Sequence, residues 1–327
     1  MIPQVSQRKA DTKRFVASLI AQRWFALTLV ILVFCMFLGL RYPAFATLAN
    51  FRAVSISLAT NGIVGVGMCL LLVSREIDLS VGSNLALGGA ISGLLLANGM
   101  SVPVSIIGGI FTSAFIGFVN GLVVDRLHVN CLIATLGMMG VARGITVLIV
   151  GGGILIINKY FSWLGQGTFL SLQFPVWVMI MITILAGILL KKHHFFRQTY
   201  YKGANEEAAI LAGINVSFLR IFMYAFTGLL CGIAGVLATA RFGVATSTAG
   251  FGMELEVISA VVIGGSSLQG GEGNILGAFL GVVLMTLITD ALVIARVSVY
   301  WHRIIIGTVL IAAVAFDSWM SRYRAMA

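Results

Sequence analysis

Long apolar runs, parted by short polar or charged connections, make up most of this chain. A bilayer crossing takes ~20 mainly apolar residues. Ten stretches qualify: 24–40, 54–73, 82–98, 103–124, 131–150, 173–190, 220–240, 257–272, 275–294 and 301–317. The third and eighth are the weakest, rich in Gly and interrupted by polar residues. The pattern predicts an all-α polytopic membrane protein, because a helix satisfies its backbone polar groups within one apolar run. The first run lacks a small-residue cleavage site and further runs follow directly, so no cleavable signal is expected. This reading divides the chain into a tail over 1–23, a membrane domain over 24–317 and a second tail over 318–327.

Basic residues orient the spans. With the N-terminus inside and ten crossings, Arg41, Arg52, Lys159, Arg241, Arg296 and Arg303 fall outside and Arg143 within a span. The remainder of the 21 Lys and Arg fall inside. That asymmetry predicts that both termini are cytoplasmic. Composition points the same way: 59% hydrophobic, 10% charged and a mean hydropathy of +1.05 exclude an ordinary soluble domain. The net charge of +10 is therefore a topology signal. Nucleic acid is not an expected partner, since no soluble basic face exists. Cys35, Cys69, Cys131 and Cys231 lie in or beside apolar runs without CxxC spacing and read as packing residues. His128, His193, His194 and His302 lack ligand spacing, and no G-x-S-x-G or HExxH occurs. Neither a metal site nor a membrane-embedded enzyme is indicated.

The chain repeats itself weakly. An offset of 176 sets Asp78–Ser83 on Glu254–Ser259 and Gly88-Gly89 on Gly264-Gly265. An offset of 170 sets Asn120 on Asp290, Arg126 on Arg296 and Gly137 on Gly307. With ten spans, Asp78 is expected at the cytoplasmic side and Glu254 outside, which makes the repeat an inverted one. Such repeats mark transporters, whose pathway lies between the copies.

Polar residues at membrane depth are costly, so each is a candidate for the pathway. These are Asn61, Asp78, Ser80, Asn84, Asn120, Arg143 and Asp290. For Asp78 and Ser80 the alternative is a helix cap; a re-entrant helix bordering the path is compatible with it. The asparagines have a second reading as hydrogen bonds between helices, and Arg143 and Asp290 could neutralise one another. The Gly-rich stretch 264–273 lacks the GK[ST] ending of a phosphate loop and reads as close packing or a bend.

The loop 191–219 is the longest polar segment. Asn205 is placed to cap a short helix, Glu206 and Glu207 suit its N-terminal end, and Gly213 ends it. Ala208, Ala209, Ile210 and Leu211 add apolar surface too small for a core, which suits docking into a partner's groove.

Five stretches carry a resemblance: IDLSVGS at 77–83, IATLGMMGVARGI at 133–145, GANEEAAILAGINV at 203–216, ELEVISAVVIGGSSLQGGEGNILGAFLG at 254–281 and VYWHRIIIGTVLI at 299–311. In this order they resemble the permease of ribose-type sugar ABC importers, a family serving ribose, other pentoses, hexoses and autoinducer-2. The resemblance implies a bacterial inner-membrane permease, paired with a second copy or a homologous permease. It implies that Asn205–Gly213 is a coupling helix docking an ATPase that binds ATP and Mg²⁺, this chain holding no cofactor itself. A periplasmic or lipid-anchored sugar-binding protein would deliver the sugar. Glu76 departs from the family, which commonly has Gly there, and Arg75 before it is also unusual. A stand-alone secondary carrier is the competing reading; it needs no docking helix.

Overall fold

A computed structural model describes residues 23–326. The basic residues Arg8, Lys9, Lys13 and Arg14 of the N-terminal tail lie outside them. The described residues are predominantly helical. Its elements are α1 (Arg23–Arg41), α2 (Leu48–Val73), α3 (Val81–Ala97), α4 (Val102–Arg126), α5 (Cys131–Val150), α6 (Lys159–Gln166), α7 (Phe174–Lys192), α8 (His194–Ala204), α9 (Glu206–Leu211), α10 (Val216–Phe242), α11 (Met253–Ile263), α12 (Ile275–Ile294) and α13 (Val299–Met326). Two antiparallel two-stranded ribbons complete it: β1 (Ile154–Leu155) with β4 (Val244–Ala245), and β2 (Thr168–Phe169) with β3 (Leu172–Gln173). Six helices, α2, α4, α5, α7, α10 and α12, are long and apolar enough to cross a membrane by length and composition. Together with the shorter apolar helices they make a polytopic membrane protein.

The core runs along α2 and α10. From Ala59 to Val73, α2 is buried on nearly every face, and α10 packs along α4 and α3. The weak hydropathy of the third run has a packing cause. Residues 81–90 of α3 are wholly buried inside the protein, where small residues let neighbouring backbones approach. A Cβ on Gly88 would lie 2.4 Å from Ser113 Oγ of α4 and 3.2 Å from the Gly232 Cα of α10. Lipid never touches that stretch, so its Gly and Ser cost nothing in hydrophobicity.

The eighth run, expected as a helix over 257–272, is helical only from Met253 to Ile263. Eleven residues reach about 16 Å, half of the ~30 Å hydrocarbon core. The remainder, 264–274, is a loop that packs on the ends of α2 and α8, with Gly271 N–H donating to Val73 O at 2.9 Å. Gly265 at φ +97 ends the helix early, its N–H donating to Val262 O and that of Ser266 to Val261 O. Gly270, Gly271 and Gly273, all at positive φ, shape the loop beyond.

Candidate functional site

The 191–219 loop folds into two short helices. In α9 the Asn205 side chain accepts from Ala208 N–H at 3.0 Å, the cap its sequence suggests. Gly213 sits at φ +81 just past the C-cap. Its N–H donates to Ile210 O and that of Ile214 to Ala209 O, the paired closure of a Schellman turn. Ala209 points inward, whereas Glu207, Ala208, Ile210 and Leu211 are exposed, Leu211 to 89%. A short helix thus shows an apolar ridge to its surroundings while its ends are fixed.

Glu206 faces the other way, into a charge network that the sequence reading did not assemble. Arg220 of α10 is its hub. Its Nη2 donates to both carboxylate oxygens of Glu206 at 2.6 and 2.7 Å, its Nη1 to Asp125 Oδ1 at 2.9 Å, and its Nε to Glu76 Oε1 at 2.7 Å. Lys202, with a side chain only 1% exposed, donates to Glu76 and, at 2.7 Å, to Ser74 O. Tyr224 OH donates to Glu76 Oε2 at 3.1 Å, and Ser217 to Asp125. Buried ions persist only when paired and hydrogen-bonded; Glu76 accepts from three side chains. One cluster therefore ties α9 to the α2–α3 connection, to α4 and to α10.

Packing reinforces the same junction. A Cβ on Gly203 would lie 1.9 Å from Val73 O, so only Gly lets α8 rest on the end of α2. Phe195 and Phe196 of α8 pack edge-to-face on Phe222 of α10 at 5.0 and 6.1 Å. Tyr200 donates to Gly273 O at 2.7 Å; burial pushes its phenol up to about 12, so it stays a donor at neutral pH. Beside α9 opens a cavity of about 750 Å³, lined by Glu76, Asp125, Glu206, Ile210 and Arg220 among others.

The membrane-depth polar residues form separate groups. Asp78, Ser80 and Asn120 make one fully buried cluster: Ser80 Oγ donates to Asp78 Oδ1 at 2.6 Å, and Asn120 Nδ2 to Ser80 Oγ at 2.9 Å. Asn84 Nδ2 donates to Ser113 O at 3.0 Å, while its oxygen and that of Asn120 find no partner in the protein. Asn61 Nδ2 donates to Glu256 Oε1 at 3.0 Å. Arg143 and Asp290 do not meet. Arg143 donates to Ser247 O and, at 2.7 Å, to Ala249 O, while Asp290 accepts from Asn50 at 2.9 Å. Nor does Asn120 join Asp290.

The two acid-led blocks, expected at opposite faces, touch instead. A Cβ on Gly82 would lie 2.1 Å from Gly250 O and 2.9 Å from Glu254 Oε2. The segment after β4 folds back into the bundle to start α11, held there by Arg143, and so carries Glu254 to the beginning of α3. Asp125, Lys202, Arg220 and Glu256 were not singled out from sequence. Only the i, i+4 spacing of Lys202 and Glu206, whose charges lie 3.7 Å apart, was a local sign.

Lipid-length helices around a polar, folded-back centre, with an anchored amphipathic helix at one end, define a multi-pass membrane transport protein. The chain belongs to the family described as the permease component of branched-chain amino acid transport systems, whose model matches residues 50–314. It is 36% identical over 299 residues to an L-arabinose ABC transporter permease protein of Azospirillum brasilense, covering 91% of this chain and 88% of that one. It is likewise 36% identical over 281 residues to the ribose import permease of Escherichia coli K12, covering 84% and 88%. The ribose import permease of Bacillus subtilis is 34% identical over 278 residues, covering 84% and 86%. No solved structure matches the chain.

Proposed function

We propose that the chain is the membrane permease of an ATP-binding-cassette importer in a bacterial inner membrane, moving a pentose or similar monosaccharide inward. Relatives named for arabinose and ribose, similar over most of their length, support the substrate class. The observation that carries the mechanism is the Arg220 hub. Glu206 is bound through it to the α2–α3 connection, which leads directly to the Asp78–Ser80–Asn120 cluster. In this reading α9 is the coupling helix. Its exposed Ala208, Ile210 and Leu211 enter a groove on the ATPase, and Glu207 meets the groove's rim. ATP and Mg²⁺ bind that partner. Its closure pulls α9, and Arg220 and Lys202 pass the displacement to Glu76 and the start of α3.

The topology that suits this role has ten membrane passages and both termini cytoplasmic. Its eighth passage combines the folded-back 244–252 segment with α11. Two permeases would pair across α5. Supporting this, Ile133, Leu136 and Leu148 are exposed to 67%, 52% and 86%, and Gly137, Gly140 and Gly144 have no neighbour over their Cα positions. Small residues on an uncovered apolar face suit close helix contact in lipid. A sugar-binding protein would deliver substrate at the opposite end from α9.

The deciding test is purification of the tagged chain from mild detergent with identification of co-purifying subunits by mass. An ATPase that accompanies the wild type and is lost from Glu207→Lys is the expected result. A chain that purifies alone and moves sugar in liposomes without ATP would be a secondary carrier.

A further inference from the structure

A cavity of about 480 Å³ lies between α2, α10 and the folded-back segment, inside the ~300–1,000 Å³ range of small-molecule sites. Its polar lining comes from Ser57, Thr60 and Asn61 of α2, Thr239 of α10, and Thr246 and Thr248 of the folded-back segment. Leu85, Ala238 and Met253 supply apolar walls. Asn61, only 7% exposed, is oriented from behind by Glu256, and Thr239 is 5% exposed. Thr248 donates to Thr246 at 3.3 Å, holding two hydroxyls side by side. Gly250 lines the same cavity and is the residue that meets Gly82.

We infer that this cavity is a transit site for a single monosaccharide, resting on the Gly82–Gly250 contact as its closed floor. The inference deepens the importer reading and rests on it. The chemistry is that of a polyol. Hydroxyls and an amide both donate and accept, as sugar hydroxyls do, and small apolar walls suit the C–H faces of the ring. A cation would be poorly served, because Arg241 is the sole charged residue among those lining it, and its guanidinium can equally donate to the hydroxyls of a neutral sugar. Neutral partners also give weak binding, which a transit site needs so that the solute can leave. Beyond the floor lies the Asp78–Ser80–Asn120 cluster, whose Asn120 oxygen has no protein partner. That is the polar group the sugar meets next.

The test uses the full complex in proteoliposomes, with radiolabelled D-ribose and L-arabinose as probes. Two readouts are taken from each variant: sugar uptake, and ATPase activity stimulated by the binding protein. Asn61→Leu with Thr239→Val should cut uptake about tenfold, the scale of two lost hydrogen bonds, with ATPase stimulation retained. Thr246→Cys, a small change on a part-exposed loop, should react with a small methanethiosulfonate above the background of Cys35 and Cys131 seen in the wild type, and millimolar sugar should slow that added reaction several-fold. Uptake unchanged in the double variant, or equal labelling of Cys with and without both sugars, would overturn the transit site while leaving the importer intact. A wild-type complex whose ATPase is stimulated but which moves neither sugar overturns the monosaccharide reading of the cavity. One with no stimulated ATPase removes the importer reading and the site together.

Discussion

Lys202 and Glu76 are separated by 126 residues and yet form an ion pair with almost no contact with solvent. Removing Lys202 leaves Glu76 still held by Arg220 and Tyr224, so the carboxylate is weakened in its pairing and not orphaned. Lys202→Met is therefore expected to destabilise the protein by about 1–3 kcal/mol, the scale of one lost hydrogen bond to a buried charge. A lowered melting temperature in detergent is the check. The two neighbouring glutamates of α9 should behave differently. Glu206→Ala breaks the bidentate contact with Arg220 and should lower the melting temperature, by less than Lys202→Met because Glu206 is 42% exposed. Glu207→Ala touches nothing inside the protein and should leave melting unchanged while weakening recovery of the ATPase. Equal melting of the two variants would contradict the inward role assigned to Glu206.

At the scale of elements, the loop 191–219 is legible in its ends and illegible in its attachments. Asn205 and Gly213 announce a cap and a stop because both act within four residues of backbone. Gly213→Ala places a Cβ at φ +81 and should cost about 1–2 kcal/mol locally. Faster hydrogen exchange over 206–214, with the bundle unaffected, would report it. Gly203→Ala should be far more damaging, since the added carbon would meet Val73 O at 1.9 Å. Loss of assembled protein on size exclusion is the expected readout, and normal assembly would show that α8 need not sit on α2. Hydropathy misplaces the end of the eighth run for a related reason. Val261, Val262 and Ile263 are followed by Gly264 and then by Gly265, whose φ of +97 breaks the helix, and an apolar average does not register backbone sign.

Across the whole molecule, apolar faces stay uncovered along α1, α4, α5 and α7, and that of α5 differs in carrying Gly137, Gly140 and Gly144 open to a neighbour. If two permeases meet there on a two-fold axis, residues near the axis face their own copies. A Gly140→Cys variant is then expected to form an intermolecular disulfide in membranes treated with a mild oxidant, with a dimer band on non-reducing gels. Leu185→Cys on α7, equally exposed but on another helix, should give none. Dimer bands from both would point to collisions in the bilayer, and none from either would move the partner elsewhere.

The sequence by itself determined the class and the parts. A run of apolar residues has few options in lipid, so each of the ten runs falls on a helix, nine of them over most of their length. Caps and stops are local, so α9 was readable before any tertiary fold. The family resemblance over residues 77–311 agrees with the relatives found. What only the tertiary structure decided is which polar residues share a site. Arg220 read as one more basic residue on the inner side, and Glu76 as a departure from the family. Asp125 carried no signal, and Glu256 stood only as one member of the second acid-led block. Their partners lie on other helices, and the angle and depth at which those helices cross are set by glycine contacts such as Gly82–Gly250 and Gly203–Val73. Helix periodicity says which way a side chain faces on its own axis. It does not say what waits there, because that depends on close packing among segments far apart in the chain.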